Sequence, residues 1–412
     1  MRTALAVLLA LMAARGLAPQ DRAAPGEDAR ARAALDAVER TEPATIAAQV
    51  RLCEVPAPPF GERARAAVVR DMLQSAGLKN VRLDREGNVV GERPGRSPQP
   101  HVVLAAHLDT VFPVGTDVKV TRSGAVLRGP GIGDNCRGLA VLIAVARALN
   151  AAGVETDGPV TFAATVGEEG LSNLRGAKVL VTETLKGRID YFVALDGSGS
   201  SITNVGVGSR RYRVAFRGPG GHSYSNFGRA NPANALGRAI ARISDIQVPS
   251  APRTTFNVGR IGGGTAVNAI PEEAWMEVDL RSTDQAALEQ LDRSVQEAFS
   301  RAAEAENARW KQNRGVTVTF ERLGERPGGR TDERSRIVQA ALSASKTLEL
   351  PARLVESSTD ANLPMQLGIP AISIGAGGSG TNTHSLAETF DSTDSARGTA
   401  RALLLAIALS RR

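Results

Sequence analysis

Five short segments of this chain set histidines or acids among glycines and small polar residues in a pattern that suits metal chemistry. They are His107-Leu108-Asp109-Thr110, Gly131-Ile132-Gly133-Asp134-Asn135, Gly167-Glu168-Glu169-Gly170, Leu195-Asp196-Gly197 and Thr383-His384-Ser385. The sequence has only four histidines, and His107, His222 and His384 all fall in short motifs of this kind. Imidazole is the commonest side-chain ligand of a transition metal. Histidine this scarce and so placed implies a metal site assembled from separate loops.

His107 and Asp109 close an apolar run, Val102 to Ala106. Side chains two apart on a strand share a face, so Asp109 is placed to accept the second ring N–H of His107 and fix its tautomer. Taken alone, the pair is equally a hydrogen-bonded structural contact. Asp134 stands just before a helical stretch, where an N-cap is the plain alternative. A dinucleotide loop is not, because Cys136 occupies the place of the third glycine. Glu168 and Glu169 follow the apolar run Val160 to Val166; adjacent acids there repel one another unless a cation or proton compensates. Neighbouring side chains on extended chain diverge, so one acid can take metal while the other faces substrate. Asp196 repeats the placement after Tyr191 to Leu195, and His384 follows the glycine-rich Gly375 to Gly380, which permits close backbone approach. Two imidazoles and three carboxylates are a hard-to-borderline N/O donor set that suits zinc, with cobalt or manganese as alternatives.

The elements that must position these residues alternate. A helix is expected from Gly61 to Ala76 with Gly77 as its stop, then a buried strand at Val102 to Ala106, a helix from Arg137 to Leu149 and a strand from Val160 to Val166. A helix from Asn173 to Leu185 and a strand at Tyr191 to Leu195 continue the rhythm, which predicts an α/β fold with a mixed, mainly parallel sheet flanked by helices. Ligands in such folds bind beyond the carboxyl ends of the strands. Near Gly208 the pattern changes to alternating residues (Tyr212, Val214, Phe216), the mark of a sheet with one wet face. Expected there are a helix from Asn231 to Ile243, strands Thr254 to Ile261 and Ala274 to Leu280, a helix from Gln285 to Ala303 and a strand from Val316 to Glu321. That β-α-β-β-α-β order is ferredoxin-like. Buried α/β character returns after Ser335, so the second domain is inserted in the first. The expected divisions are residues 1–18 as a leader, 28–208 and 323–412 as the two parts of the catalytic domain, and 209–322 as the insert.

Composition narrows the class. At 412 residues the chain exceeds one ordinary core, and with 4% aromatic residues that core must be built from Ala, Val, Leu and Ile. The net charge of +7 comes from basic residues interspersed with acids, without a basic stripe, which argues against nucleic acid as a partner. The opening MRTALAVLLALMAARGLA has a basic start, a short apolar run and small residues near Ala14 and Ala18. It predicts a secretory signal peptide and hence a periplasmic or secreted protein with no membrane association after its removal. The stretch from there to about Arg40 is polar and reads as a tether running into a helix. Cys53 and Cys136 offer no disulfide framework, and Cys136 reads as a small buried residue beside the site.

AHLDTVFP, GPGIGDNCRG, ATVGEEG, ALDG and the late TH together resemble the co-catalytic dizinc metallopeptidases and deacylases: peptidase T, glutamate carboxypeptidase, aminoacylase and succinyl-diaminopimelate desuccinylase. The resemblance implies a zinc-exopeptidase-like core and a smaller lid domain through which subunits pair as homodimers. It implies two Zn2+ per subunit, one held by His107 and Asp196 and one by Glu169 and His384, with Asp134 bridging them. It further implies Asp109 orienting His107, Glu168 as general base, and His222 in Gly220-Gly221-His222-Ser223 reaching the scissile carbonyl. Asn268 in Val267-Asn268-Ala269 and Arg281 in Asp279-Leu280-Arg281 match lid positions that grip substrate. Asp196 is more like the peptidase T and dipeptidase branches, whereas Asn135-Cys136-Arg137 does not copy the peptidase T loop. The implied activity is exopeptidase cleavage of small peptides, with an N-acyl amino acid deacylase or a glutamate-type carboxypeptidase as the alternative. From other classes, a non-catalytic binding module would be expected to lose ligands, and a serine hydrolase through Ser198 or Ser223 lacks the G-x-S-x-G elbow.

Overall fold

The computed structural model describes residues 25–311 and 315–412; the leader expected at 1–18 lies outside the described residues. The chain divides into two compact units, one running up to Gly206 and resuming over Arg330–Arg412, the other Val207–Gly329. No helix among the described residues is long and apolar enough to cross a membrane.

The first unit begins with α1 (Pro25–Cys53) and α2 (Arg63–Ser75), the latter stopped by Gly77 at φ +84°. Strands β1 (Lys79–Leu83), β2 (Val89–Arg93) and β3 (Val102–His107) follow, then the short hairpin β4 (Thr121–Ser123) and β5 (Val126–Arg128). Next come α3 (Cys136–Ala151), β6 (Val160–Thr165), α4 (Arg175–Val179), β7 (Tyr191–Leu195) and β8 (Ile202–Gly206). The main sheet pairs in the order β1-β2-β6-β3-β7 and is continued by later strands. Within it β6, β3 and β7 are parallel. Burial on both faces explains why these strands are largely apolar, with Val102 to Ala106 unbroken and β6 interrupted only by Thr161 and Thr165: every residue of β3 and β6 is buried. On β3, Val102, Leu104 and Ala106 pack with α1 and α3, while Val103 and Ala105 face the opposite cluster around Phe192 and Leu180.

The second unit holds β9 (Gly208–Arg217), β10 (Gly221–His222), α5 (Pro232–Ser244), β11 (Thr254–Gly263), β12 (Ala269–Ile270), β13 (Glu273–Ser282), α6 (Gln285–Trp310) and β14 (Thr317–Arg326). Four of its strands form an antiparallel sheet in the order β11-β13-β9-β14. Tyr212, Val214, Phe216 and the even positions of β13 pack under α5 and α6. The odd positions carry charge: Arg211 and Arg281 both reach Asp279, and Arg213 lies 4.0 Å over the Trp275 ring.

The chain then returns through β15 (Gly329–Arg330), α7 (Arg336–Thr347), β16 (Leu354–Ser357), α8 (Asn362–Gln366), β17 (Ala371–Ile374), β18 (Ser379–Thr381), β19 (Thr389–Asp391) and α9 (Ala396–Leu409). Strand β17 joins the main sheet parallel to β7. A small second sheet, β18-β19-β5-β4, ties the segment before Asp134 to the segment containing His384.

Several expectations change. The stretch to Arg40 is not a tether: α1 starts at Pro25, and its Ala31, Ala34 and Val38 are fully buried. Spaced three and four apart, they form one helical face of small residues, which composition alone disguises. The helix expected from Asn173 starts at Arg175, because Asn173 and Leu174 are left-handed at φ +62° and +56°; after Val179 it widens into a π turn over Leu180–Thr184. In the insert, α6 continues beyond Ala303 to Trp310 and the last strand beyond Glu321 to Arg326, so this unit ends at Gly329 rather than at 322.

Candidate metal centre

The parallel strands β6, β3, β7 and β17 deliver their carboxyl ends to one edge of the sheet, and the acids and imidazoles sit there. His107 ends β3 and is 2% exposed. Its Nε2 lies 3.0 Å from Asp134 Oδ1 and 3.7 Å from Asp196 Oδ1. His384 follows β18 in a left-handed turn at φ +65°, and its Nε2 lies 3.2 Å from Asp134 Oδ2 and 3.0 Å from Glu169 Oε1. Asp134 thus turns one carboxylate oxygen to each histidine. Donor atoms within 4.8 Å of one another form the groups His107–Asp134–Asp196 and Asp134–Glu169–His384, and His107 also groups with Glu168 and Glu169.

The electrostatics follow from that crowding. Burial alone would lower the His107 pKa, but hydrogen bonds from its ring to Asp109, Asp134 and Asp196 outweigh it and hold the imidazole well above its ordinary value. Hydrogen bonds to Asp134 and Glu169 push His384 up to about 10. Burial works against ionised Asp134, yet the two imidazoles hold its carboxyl far below the usual range. A cluster of acids that draws protons onto its imidazoles this strongly is a cluster with affinity for positive charge.

Asp109 acts differently from the expectation. Its backbone carbonyl is nearer to His107 Nδ1, at 3.1 Å, than its carboxylate, at 3.6 Å. The fully buried carboxylate accepts the backbone N–H of Glu168 at 3.0 Å and of Glu169 at 2.8 Å. One residue therefore orients the imidazole and also fixes the turn carrying both acids.

Three further residues were invisible as site residues in the sequence. Asn135 caps α3 by accepting from Gly138 N, accepts from Gly197 N and donates to Leu195 O at 2.8 Å, so it joins α3 to the end of β7. Gly138 has to be glycine: a Cβ there would lie 2.2 Å from Asn135 Oδ1 and 2.5 Å from Leu195 O. Glu388, 1% exposed, accepts the backbone N–H groups of Gly131, Gly133 and Asp134 at 2.8–3.0 Å. Burial pushes its carboxyl up to about 7 despite those three donors. Asp360 accepts from Thr165 Oγ1 at 2.5 Å at the end of β6, and burial pushes it up to about 6. Only the position of Glu388, four residues after His384, hinted at any of this.

The thiols stay outside the donor groups. Cys136 opens α3 and Cys53 ends α1; both are buried against Ile46, Leu127, Ile132 and Phe390, and Cys53 donates to Pro130 O. In the second unit, the β10–β12 pairing sets His222 opposite Ala269, and Ser223 N donates to Asn268 O. His222 is exposed, and its Nδ1 accepts from the backbone N–H of Tyr224 and Ser225 at 3.2 and 3.3 Å. A neutral ring so held carries its hydrogen on Nε2. Arg281 lies apart on β13, half-exposed, with its Nε 2.7 Å from Asp279 Oδ2.

A mainly parallel α/β sheet with a six-residue N/O donor cluster at its carboxyl edge, plus an inserted antiparallel α+β unit, defines a metal-dependent hydrolase. The profile of Peptidase family M20/M25/M40 matches residues 103–408, and the chain belongs to that family. Among curated relatives it is 24% identical to the succinyl-diaminopimelate desuccinylase of Corynebacterium glutamicum over 334 residues, 79% of this chain and 86% of the relative. Among solved structures it is similar to a tripeptidase from Staphylococcus aureus (TM-score 0.75, 22% identity, 90% of this chain and 99% of the other). It is likewise similar to the aminopeptidase PepT of Bacillus cereus (TM-score 0.73, 20% identity, 90% and 99%). Family membership supports hydrolysis of an amide bond and replaces the serine-hydrolase and binding-module readings.

Proposed function

We propose that the protein is an exopeptidase acting on small peptides, in the manner of a di- or tripeptidase or aminopeptidase, with two zinc ions per subunit. The observation that carries the reading is Asp134, whose two oxygens belong to two separate donor groups. The donor set fits zinc: each group holds imidazole nitrogen and carboxylate oxygen, with the thiols of Cys53 and Cys136 turned into an apolar cluster. His107, Asp134 and Asp196 would hold one ion, and Asp134, Glu169 and His384 the other. Bound zinc supplies Lewis acidity toward the attacking water and the substrate carbonyl.

The chain's own residues do the rest. Glu168, buried beside Glu169, takes the proton of the attacking water and returns it to the leaving amine. Asp109 keeps that acid in place through the two backbone N–H groups it accepts. We assign His222 the polarisation of the scissile carbonyl through Nε2–H, the nitrogen left to donate, and Asn268 and Arg281 contact with the rest of the substrate. The alternative is a deacylase of N-acyl amino acids, favoured by the desuccinylase likeness. Export through the leader, and pairing of subunits through the inserted unit, complete the proposal.

The test is a screen of zinc-loaded protein against dipeptides, tripeptides and N-acyl amino acids with free and blocked termini. Cleavage that requires a free amino terminus supports the exopeptidase. Turnover of acylated amino acids alone overturns it in favour of the deacylase.

A further inference from the structure

The Asp134 loop is strapped from behind by a residue of the His384 segment. Glu388 Oε2 accepts from Gly131 N at 3.0 Å, and Oε1 accepts from Gly133 N at 2.8 Å and Asp134 N at 2.9 Å. Its own backbone carbonyl accepts from Gly129 N at 3.1 Å, and its backbone N–H donates to Ser385 O at 3.0 Å. These residues are about 255 positions apart in sequence, yet one side chain and its main chain take four N–H groups of the 129–134 loop. Hydrogen bonds from neutral donors to a carboxylate are short and strong when dry. A loop with so many amides gathered on one buried acid has little freedom to re-aim the side chain it carries.

The geometry points to Glu388 as the positioning residue of the shared ligand, so that it sets affinity at both metal positions together. This inference rests on the proposed two-metal reading. Asp134 is the only residue common to the two groups that contain Asp196 and His384 respectively. A strap on its loop therefore reaches both positions, whereas Glu169 is assigned as a ligand only at the one with His384. Because Glu388 also sits four residues after His384, displacement of the strap loosens the bridging acid and one imidazole in the same movement.

The experiment is a Co2+ titration of chelator-stripped protein, followed by visible absorption and by metal content after dialysis. It compares wild type, Glu388→Gln and Glu169→Gln. The side-chain amide nitrogen that Glu388→Gln introduces would confront one of the three N–H donors, so both binding phases of E388Q should weaken about ten- to hundredfold. In E169Q one phase should weaken. The far-ultraviolet circular dichroism of stripped E388Q should match wild type, and kcat should recover at saturating metal with KM unchanged. Wild-type affinity in both phases of E388Q, or loss confined to one phase, overturns the role of Glu388 and leaves the two-metal reading standing. Fewer than two cobalt ions on wild type overturns that reading itself. If E388Q does not fold, Glu388→Asp replaces it: the charge remains but the oxygens withdraw by one bond, about 1.5 Å. The same weakening of both phases is expected, and unchanged affinity refutes the assignment.

Discussion

Loading the stripped protein with zinc at pH 8 should release at least about one proton per subunit. With no metal bound, hydrogen bonds to Asp134 and Glu169 hold His384 at about 10, so only about one ring in a hundred is neutral at pH 8. His107 is raised well above its ordinary value by Asp109, Asp134 and Asp196, so any release from its ring adds in the same direction. A metal takes only the neutral imidazole, so a charged ring must give up its proton on binding. Asp134 is already ionised and contributes none, and Glu388, at about 7, contributes about a tenth of a proton. Ordinary imidazoles near pKa 6.5 would release almost nothing at this pH. Calorimetric titration in buffers of different ionisation enthalpy counts the protons directly. The affinity at the position holding His384 should also rise about tenfold per pH unit between 7 and 9. The same shifts have a stability consequence. Both folded-state values are raised above the unfolded one, so the stabilisation of stripped protein is complete below about pH 6.5 and is lost as pH rises toward about 10. Release of less than half a proton at pH 8, with metal bound, would refute the hydrogen-bonded crowding on which this reasoning stands.

Other outcomes follow from single contacts. Glu168→Ala should lower kcat by about 10²- to 10⁴-fold with metal content near normal, measured by steady-state kinetics beside elemental analysis; wild-type turnover would remove Glu168 as the base. Asp109→Asn leaves only one good acceptor for the N–H groups of Glu168 and Glu169, and metal affinity should fall about ten- to hundredfold in a competition titration with a chelator. His222→Ala should lower kcat more than it raises KM, since its Nε2–H is assigned to the transition state; a pure KM effect would make it a substrate-gripping residue instead. Gly138→Ala places a methyl against Asn135 and the Leu195 carbonyl and should lower the melting temperature, whereas the Gly237→Ala control has open space for its methyl.

The parts legible in the sequence were those written in local pattern. The unbroken apolar run at Val102–Ala106 and the mostly apolar Val160–Val166 marked buried strands, and the acids and histidines just past them marked the sheet edge where the donors lie. The change to alternation at Tyr212, Val214 and Phe216 marked the antiparallel insert. What was hidden depends on contacts between distant segments. Glu388 and Asp360 look like ordinary loop acids until the fold brings them to backbone N–H groups and to Thr165. The preference for the Asp109 backbone carbonyl over its carboxylate at His107 is a matter of a few tenths of an ångström, which no spacing rule encodes. Helix α1 was masked because its buried face is built of alanines among arginines and glutamates, and the start of α4 because Leu174 adopts a left-handed conformation its side chain does not advertise.

Anomalous X-ray diffraction from zinc-loaded crystals, collected on both sides of the zinc edge, tests the central claim most directly. Two peaks about 3.5–4 Å apart are expected, one within bonding distance of His107, Asp134 and Asp196 and the other of Asp134, Glu169 and His384. A single peak, or zinc bound away from Asp134, would contradict it.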